Sequence, residues 1–205
     1  MTKKVSCAAL VLTVVCAAGC RGGQSVAPGN AATQTGNQNV GGAADAGGEK
    51  VSMKVTSSAF AEGGSIPAQY TCDGRNVSPP ISWEGVPASA KTIALIADDP
   101  DAPRGTWVHW VLFNLPATEK GLPEGVPATE TLPSGARQGR NDFGNAGYGG
   151  PCPPSGAHRY YFKLYALDAS LDLASGAKKD VLLKAMEGHV VAEGQLMGRY
   201  QRAAK

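Results

Sequence analysis

The chain has 205 residues, with 19 Lys and Arg against 17 Asp and Glu and a formal net charge of +2 at pH 7. Two of the basic residues, Lys3 and Lys4, precede an apolar run. Without residues 1–19 the balance is 17 to 17, so no basic footprint for nucleic acid remains. The stretch after residue 50, about 155 residues, suits one domain with one core.

In chain order, the first element is the apolar run Val5 to Ala18, broken only by Ser6, Cys7, Thr13 and Cys16. Behind a charged head, a run this short is read as an export signal rather than a permanent spanning helix. It ends at Ala17-Ala18-Gly19-Cys20, which resembles the cleavage box of bacterial lipoproteins. Residues 1–19 are therefore expected to leave as a signal peptide, with the Cys20 thiol receiving a diacylglycerol. Ala17 stands where that box usually carries Leu, so ordinary signal-peptidase cleavage is the competing outcome. Residues 20–50 are rich in Gly, Ala, Gln, Asn and Thr and contain no aromatic residue. They cannot bury enough apolar surface to offset their ordering entropy and read as a flexible tether, about 30 Å end to end. The protein is thus expected to be exported and lipid-anchored on the periplasmic or cell-surface side of a bacterial membrane.

Of five cysteines, Cys7 and Cys16 leave with the signal and Cys20 is lipidated, so Cys72 and Cys152 remain. An even pair in an oxidising compartment is expected to form a disulfide. Residues 51–205 form the domain. Strand-like runs cover Ser52–Thr56, Ile81–Trp83, Thr92–Ala97, Trp107–Leu115 and Arg159–Leu167, separated by turns rich in Gly, Pro and Asn. This reads as a mainly β protein, an antiparallel β-sandwich. Residues 121–148 form a long polar loop with Arg137, Arg140, Asn141, Asp142 and Phe143, of a length that is usually functional or mobile. Asp180–Met186 and His189–Arg202 have helical spacing and are expected to be short C-terminal helices, with His189 packed in the second.

Two segments carry most of the chemistry. Asp98-Asp99-Pro100-Asp101-Ala102-Pro103 leads into Trp107-Val108-His109-Trp110, and Gly150-Pro151-Cys152-Pro153-Pro154 leads into Ala157-His158-Arg159-Tyr160. Each joins a turn stiffened by Pro to a strand bearing a histidine. Period-2 alternation puts Trp107, His109, Val111 and Phe113 on one face of the first strand. It puts His158, Tyr160, Phe162 and Leu164 on one face of the second, with Arg159, Tyr161 and Lys163 opposite. Histidines among core-facing residues at a strand mouth suggest a lined pocket; the other reading of the same spacing is two hydrogen-bonded core histidines.

These segments, with Tyr70-Thr71-Cys72-Asp73-Gly74, Ser78-Pro79-Pro80, Trp83 and Met186-Glu187-Gly188-His189, resemble the phosphatidylethanolamine-binding protein family in its bacterial Raf-kinase-inhibitor-like branch. The resemblance runs from about Val55 to Tyr200 in the expected order. It implies a small anion pocket for phosphate or phospholipid head groups, with Asp99, Asp101, Pro103, His109, Gly150, Pro151, His158 and Tyr160 matching the family's site. Imidazole, Tyr hydroxyl and backbone N–H groups can donate to phosphate oxygens. Two carboxylates would repel a phosphate, so Asp99 is expected chiefly to orient a histidine. Arg159 is read as a surface charge pairing locally or as a ligand contact.

Catalysis is not expected. There is no G-x-S-x-G elbow, no orienting group for Ser155 and His158, and no phosphate- or dinucleotide-binding fingerprint. No set of four closely spaced zinc ligands is present, so neither metal nor cofactor is expected. The function read from the chain is a non-catalytic, membrane-tethered protein binding a small phosphorylated or phospholipid head-group ligand. The alternative is a protein-interaction module inhibiting an extracytoplasmic hydrolase through the pocket rim and the 121–148 loop, its protein partner unknown.

Overall fold

A computed structural model describes residues 51–203, which lie in one compact unit. The expected signal peptide, Cys20 lipidation site and tether fall outside the described residues. The elements are β1 (Val51–Ser52), β2 (Lys54–Thr56), β3 (Ile81–Glu84), β4 (Thr92–Asp99), β5 (Trp107–Pro116), β6 (Gly121–Leu122), β7 (Arg137–Gln138), β8 (Ala157–Leu167), α1 (Lys179–Met186) and β9 (Val190–Gln201). They form a six-stranded sheet in the order β1-β9-β8-β4-β5-β7 and a three-stranded sheet in the order β2-β3-β6. The fold is mainly β, with one short helix. Pairing is antiparallel except between β1 and β9, which run parallel.

Strand β4, Thr-Ile-Ala-Leu-Ile-Ala-Asp-Asp, is nearly continuous in apolar residues, and all eight of its residues are buried. Both faces of the large sheet are therefore covered. On one face, Ile93, Leu95, Trp110, Leu112, Phe162 and Leu164 pack against Val55, Ile81 and Trp83 of the small sheet. On the other, Ala94, Ile96, Val111 and Phe113 pack against Leu182 and Met186 of α1. At the end of β4 the same logic splits an acidic pair. The Asp98 side chain, wholly buried, accepts from Lys163 at 2.8 Å and from Lys179 of α1, whereas Asp99 turns to the other face.

The segment expected as one loop over 121–148 contains two short strands, β6 and β7, and the structure departs from the sequence reading in four further places. The run Ser52–Thr56 is two strands: Met53 donates to the Glu193 carbonyl at 2.7 Å as the chain crosses from one sheet to the other. His189–Arg202 is not a helix but mostly strand β9. Its inward positions include Ala192, Gly194, Leu196 and Gly198, and a Cβ on Gly194 would lie 2.2 Å from the Met53 carbonyl oxygen. Two glycines on the inward face erase the period-2 apolar signal there. His189 precedes that strand and is exposed rather than packed, its Nδ1 2.9 Å from Asp168 Oδ1.

The fourth departure shapes the site. Ala97 faces Trp110, but Asp98 faces Val108, so His109 is an extra residue on β5. A bulge of this kind breaks the alternation and re-aims side chains. Val111 and Phe113 pack with Val108 under α1, while His109 turns to the opposite face and meets Tyr160 edge-on, ring centroids 5.2 Å apart. His109 thus does not share a face with Val111 and Phe113.

Candidate functional site

The ends of β4, β5 and β8 meet the turn at 151–156 around a cavity of about 180 Å3, lined by Asp99, Ala102, Pro103, Trp107, His109, Phe143, Cys152, Pro153, Pro154 and His158. Four of the residues expected at the site, Asp99, Pro103, His109 and His158, stand in this lining. Tyr160 lies directly behind it, against His109. Asp101, Gly150 and Pro151 are not part of it.

The polar groups are tightly arranged. His158 and Asp99 are both buried, and Nδ1–H of His158 donates to Asp99 Oδ2 at 2.7 Å. The other carboxylate oxygen accepts the backbone N–H of Asp101 at 2.8 Å, a turn bond that stops the Asp99 side chain from rotating. His109 Nδ1 lies 2.5 Å from the Gly149 carbonyl oxygen. A carbonyl only accepts, so Nδ1 carries the proton and Nε2 of the neutral ring is an acceptor. Burial is the main influence on this imidazole and lowers its pKa, against opposing contributions from the Gly149 carbonyl and from Asp99, Asp142 and Asp98. Among the described residues, two buried donors make no hydrogen bond of normal length, Trp107 Nε1 and Tyr160 Oη, the latter lying towards the Asp99 carboxylate. Burial, and then the charge of Asp99, holds the Tyr160 hydroxyl well above the ordinary tyrosine pKa.

The remaining expected residues act as supports. Asp101 accepts from Arg159 Nη2 at 2.7 Å and Nε at 2.9 Å, and from its backbone N–H at 2.9 Å. These bonds hold its carboxyl down at about 2. Arg159 is therefore a local partner of the turn and tethers it to β8. Gly150 donates to Asn76 Oδ1 at 2.7 Å, and a Cβ there would lie 2.5 Å from the Tyr70 carbonyl oxygen, so only glycine fits. The Pro151 carbonyl accepts from the Cys72 N–H at 3.0 Å, beside a Cys72–Cys152 disulfide.

The reading from sequence did not assign Phe143, Trp107, Ala102 or Gly149 to the site. Phe143 comes from the long loop and packs edge-on over both Trp107 and His109, each at 5.4 Å. That loop is held by side chains rather than loose. Gln138, fully buried, accepts from Trp110 Nε1 at 2.7 Å and donates to the carbonyls of Pro127 and Thr129. Asp142 Oδ2 accepts the Val108 N–H at 2.7 Å. Asn141, Asp142 and Phe143 in a glycine-rich stretch were the available signal, but only the fold shows which strand they cap.

A two-sheet fold of this order, with a small pocket where β4, β5 and β8 end, is the architecture of a phosphatidylethanolamine-binding protein. The sequence model of that family, described as phosphatidylethanolamine-binding protein, matches residues 56–201, and the chain belongs to this family. A UPF0098 protein of Methanothermobacter thermautotrophicus is 58% identical over 150 residues, covering 73% of this chain and 99% of that one. A UPF0098 protein of Aquifex aeolicus is 50% identical over 154 residues, covering 73% and 89%. Among solved structures, a phosphatidylethanolamine-binding protein homologue from Chlamydia trachomatis superimposes with a TM-score of 0.69 at 43% identity, covering 74% of this chain and 99% of that one. Escherichia coli YbcL, described as a new member of the mammalian family, gives 0.68 at 35% identity with the same coverage.

Proposed function

We propose that this chain is a non-catalytic binding protein, Raf-kinase-inhibitor-like, whose pocket takes a small phosphate-bearing ligand or phospholipid head group. The observation that carries this reading is the pair of buried donors without a hydrogen bond of normal length, Tyr160 Oη and Trp107 Nε1, beside an imidazole locked to Asp99. Buried donors left unpaired cost about 1–3 kcal/mol each, and Trp107, His109 and His158 stand in the cavity lining with Tyr160 directly behind. Phosphoryl oxygens are strong acceptors, and protonated His158 would meet them with a charge-assisted bond while Asp99 balances its charge. The cavity is smaller than the usual range for drug-sized ligands, which fits a head group rather than an acyl chain. No side chain in the lining is a serine, threonine or lysine that could act as a nucleophile there.

Calorimetric titration of the mature protein with phosphorylethanolamine tests the reading. Binding should weaken about tenfold or more in Tyr160→Phe and in His158→Ala. Folded variants that bind like the parent would assign these groups to the core alone.

We further propose that the protein is exported and held at a membrane by lipid on Cys20, the tether at 20–50 keeping the domain off the surface. The exposed ring of Phe143, at the pocket rim, favours a second reading in which the rim docks a protein partner. In that case His158→Ala would abolish head-group binding and leave partner capture intact, whereas Phe143→Ser would abolish capture.

A further inference from the structure

Resting on the head-group reading, we propose that Arg159, outside the cavity, is a positioning residue: through Asp101 and Asp99 it fixes the way the His158 ring meets the ligand. The hydrogen bonds form one continuous chain from solvent to the pocket. Arg159 donates to the Asp101 carboxylate from Nη2 at 2.7 Å, from Nε at 2.9 Å and from its backbone N–H at 2.9 Å. The backbone N–H of Asp101 donates to Asp99 Oδ1 at 2.8 Å, and Asp99 Oδ2 accepts Nδ1–H of His158 at 2.7 Å. Each step fixes a different degree of freedom. The sheet holds the Asp99 backbone, which pairs with Trp107, but leaves its side chain to be fixed by other means. The Asp101 N–H holds one carboxylate oxygen and so aims the other at the imidazole. Asp101 in turn lies beyond the strand ladder, since the last β4 partner of β8 is Asp98, opposite Tyr161. Past that point the Asp101 carboxylate accepts the Arg159 N–H, so a side chain stands in for the missing ladder bond.

The pair acts on geometry rather than on stability. The Arg159 side chain is 48% exposed and that of Asp101 27%, and ion pairs at the surface ordinarily contribute about 0–1 kcal/mol. A guanidinium fork on a carboxylate, however, fixes direction as well as distance. These side-chain bonds are the main reason that the Asp101 carboxyl is held at about 2, so the clamp stays closed through neutral and mildly acid pH. Neither residue lines the cavity, whereas Asp99 and His158 both do. The influence of Arg159 therefore reaches a ligand through the imidazole. With Nδ1 committed to Asp99, Nε2 is the ring nitrogen left for that ligand. If the carboxylate is free to turn, the ring can flip or exchange tautomer. A ligand must then select one arrangement among several, and its apparent affinity falls with the population of the competent one.

Proton spectra of the mature protein with 15N-labelled histidine decide this, recorded for the parent, Arg159→Ala, Arg159→Lys and Asp101→Ala and paired with titrations of phosphorylethanolamine. The chain has three histidines. In the parent the His158 Nδ1 proton, buried and bonded to a carboxylate, should give a protected, far-downfield resonance. The His109 Nδ1 proton, bonded to the Gly149 carbonyl, should give a second one that persists in every variant and reports an intact fold. His189 is exposed, and its ring protons should exchange with water too fast to interfere. Arg159→Ala and Asp101→Ala should each lose the His158 resonance and bind about tenfold more weakly, with the thermal midpoint nearly unchanged. Arg159→Lys keeps the charge without the fork and should fall between parent and Arg159→Ala. The double variant Arg159→Ala/Asp101→Ala should bind no more weakly than either single one, because the two act through one set of bonds. Weaker binding in Arg159→Ala with the His158 resonance intact would overturn the proposal, since Arg159 would then touch the ligand itself. Unchanged resonance and unchanged affinity would overturn it as well, leaving a surface ion pair. If the parent binds no phosphorylethanolamine at millimolar concentration, the head-group reading falls, while the His158 resonance still decides whether Arg159 positions the ring.

Discussion

His109 and His158 share a pocket but face opposite constraints. His158 gives its Nδ1 proton to a carboxylate, whereas His109 gives its own to a carbonyl and is buried in its neutral form. Since the folded-state pKa of His109 lies below the ordinary value of about 6.5, the unfolded chain takes up more protons as the pH falls through that value. The contribution of His109 to stability is therefore present above about pH 6.5 and is lost as the pH drops towards its lowered pKa. Denaturant midpoints measured from neutral to mildly acid pH should decline in the parent, and less steeply in His109→Asn. Equal slopes would mean that the ring is not protected from protonation. The motif signalled that histidines stand here. It could not show that a carbonyl 40 residues away fixes the tautomer of one of them, because the Gly149 peptide has no side-chain signature.

Among the elements, β8 was legible and β9 was not, for the same reason seen from two sides. In β8 the inward residues His158, Tyr160, Phe162 and Leu164 are large and all buried, so alternation is plain. In β9 glycines stand at inward positions 194 and 198, because Met53 and the segment carrying Phe60 and Ile66 approach too closely for a side chain. Gly198→Val should therefore destabilise the domain by about 1–3 kcal/mol or more, since its Cβ alone would meet Ile66 Cγ1 at 2.5 Å. A thermal midpoint unchanged by this substitution would show that the close approach is relaxed in solution. Strand β5 misled in a different way. Its residues alternate well on paper, but the bulge at His109 and the positive φ of 56° at Asn114 each interrupt the pleat. Bulges follow from pairing with β4, and nothing local in Trp-Val-His-Trp announces one.

Across the whole molecule, the Cys72–Cys152 disulfide closes a loop of 80 residues and ties the 70–76 segment to the turn that walls the pocket. Opening a loop of that size should cost about 2–5 kcal/mol. The double variant Cys72→Ser/Cys152→Ser should unfold at correspondingly lower denaturant and bind its ligand more weakly, because Cys152 lines the cavity. An unchanged midpoint would contradict the first effect, and an unchanged affinity the second. At the other end of the chain, fatty-acid labelling of the expressing cells should mark the mature protein on Cys20. An unlabelled N-terminus at any other residue would remove the membrane from the account.

The central claim, an anion pocket built around buried donors, is tested most directly by the three tryptophan side chains. The Trp83 indole N–H donates to the Glu119 carbonyl at 3.0 Å and that of Trp110 to Gln138 Oε1 at 2.7 Å, whereas that of Trp107 is buried beside the pocket with no partner. In a 15N-labelled sample titrated with inorganic phosphate, the Trp107 indole resonance should move downfield and saturate, with the other two nearly still. Three unmoved resonances at millimolar phosphate, or movement at Trp83 or Trp110 in place of Trp107, would contradict it.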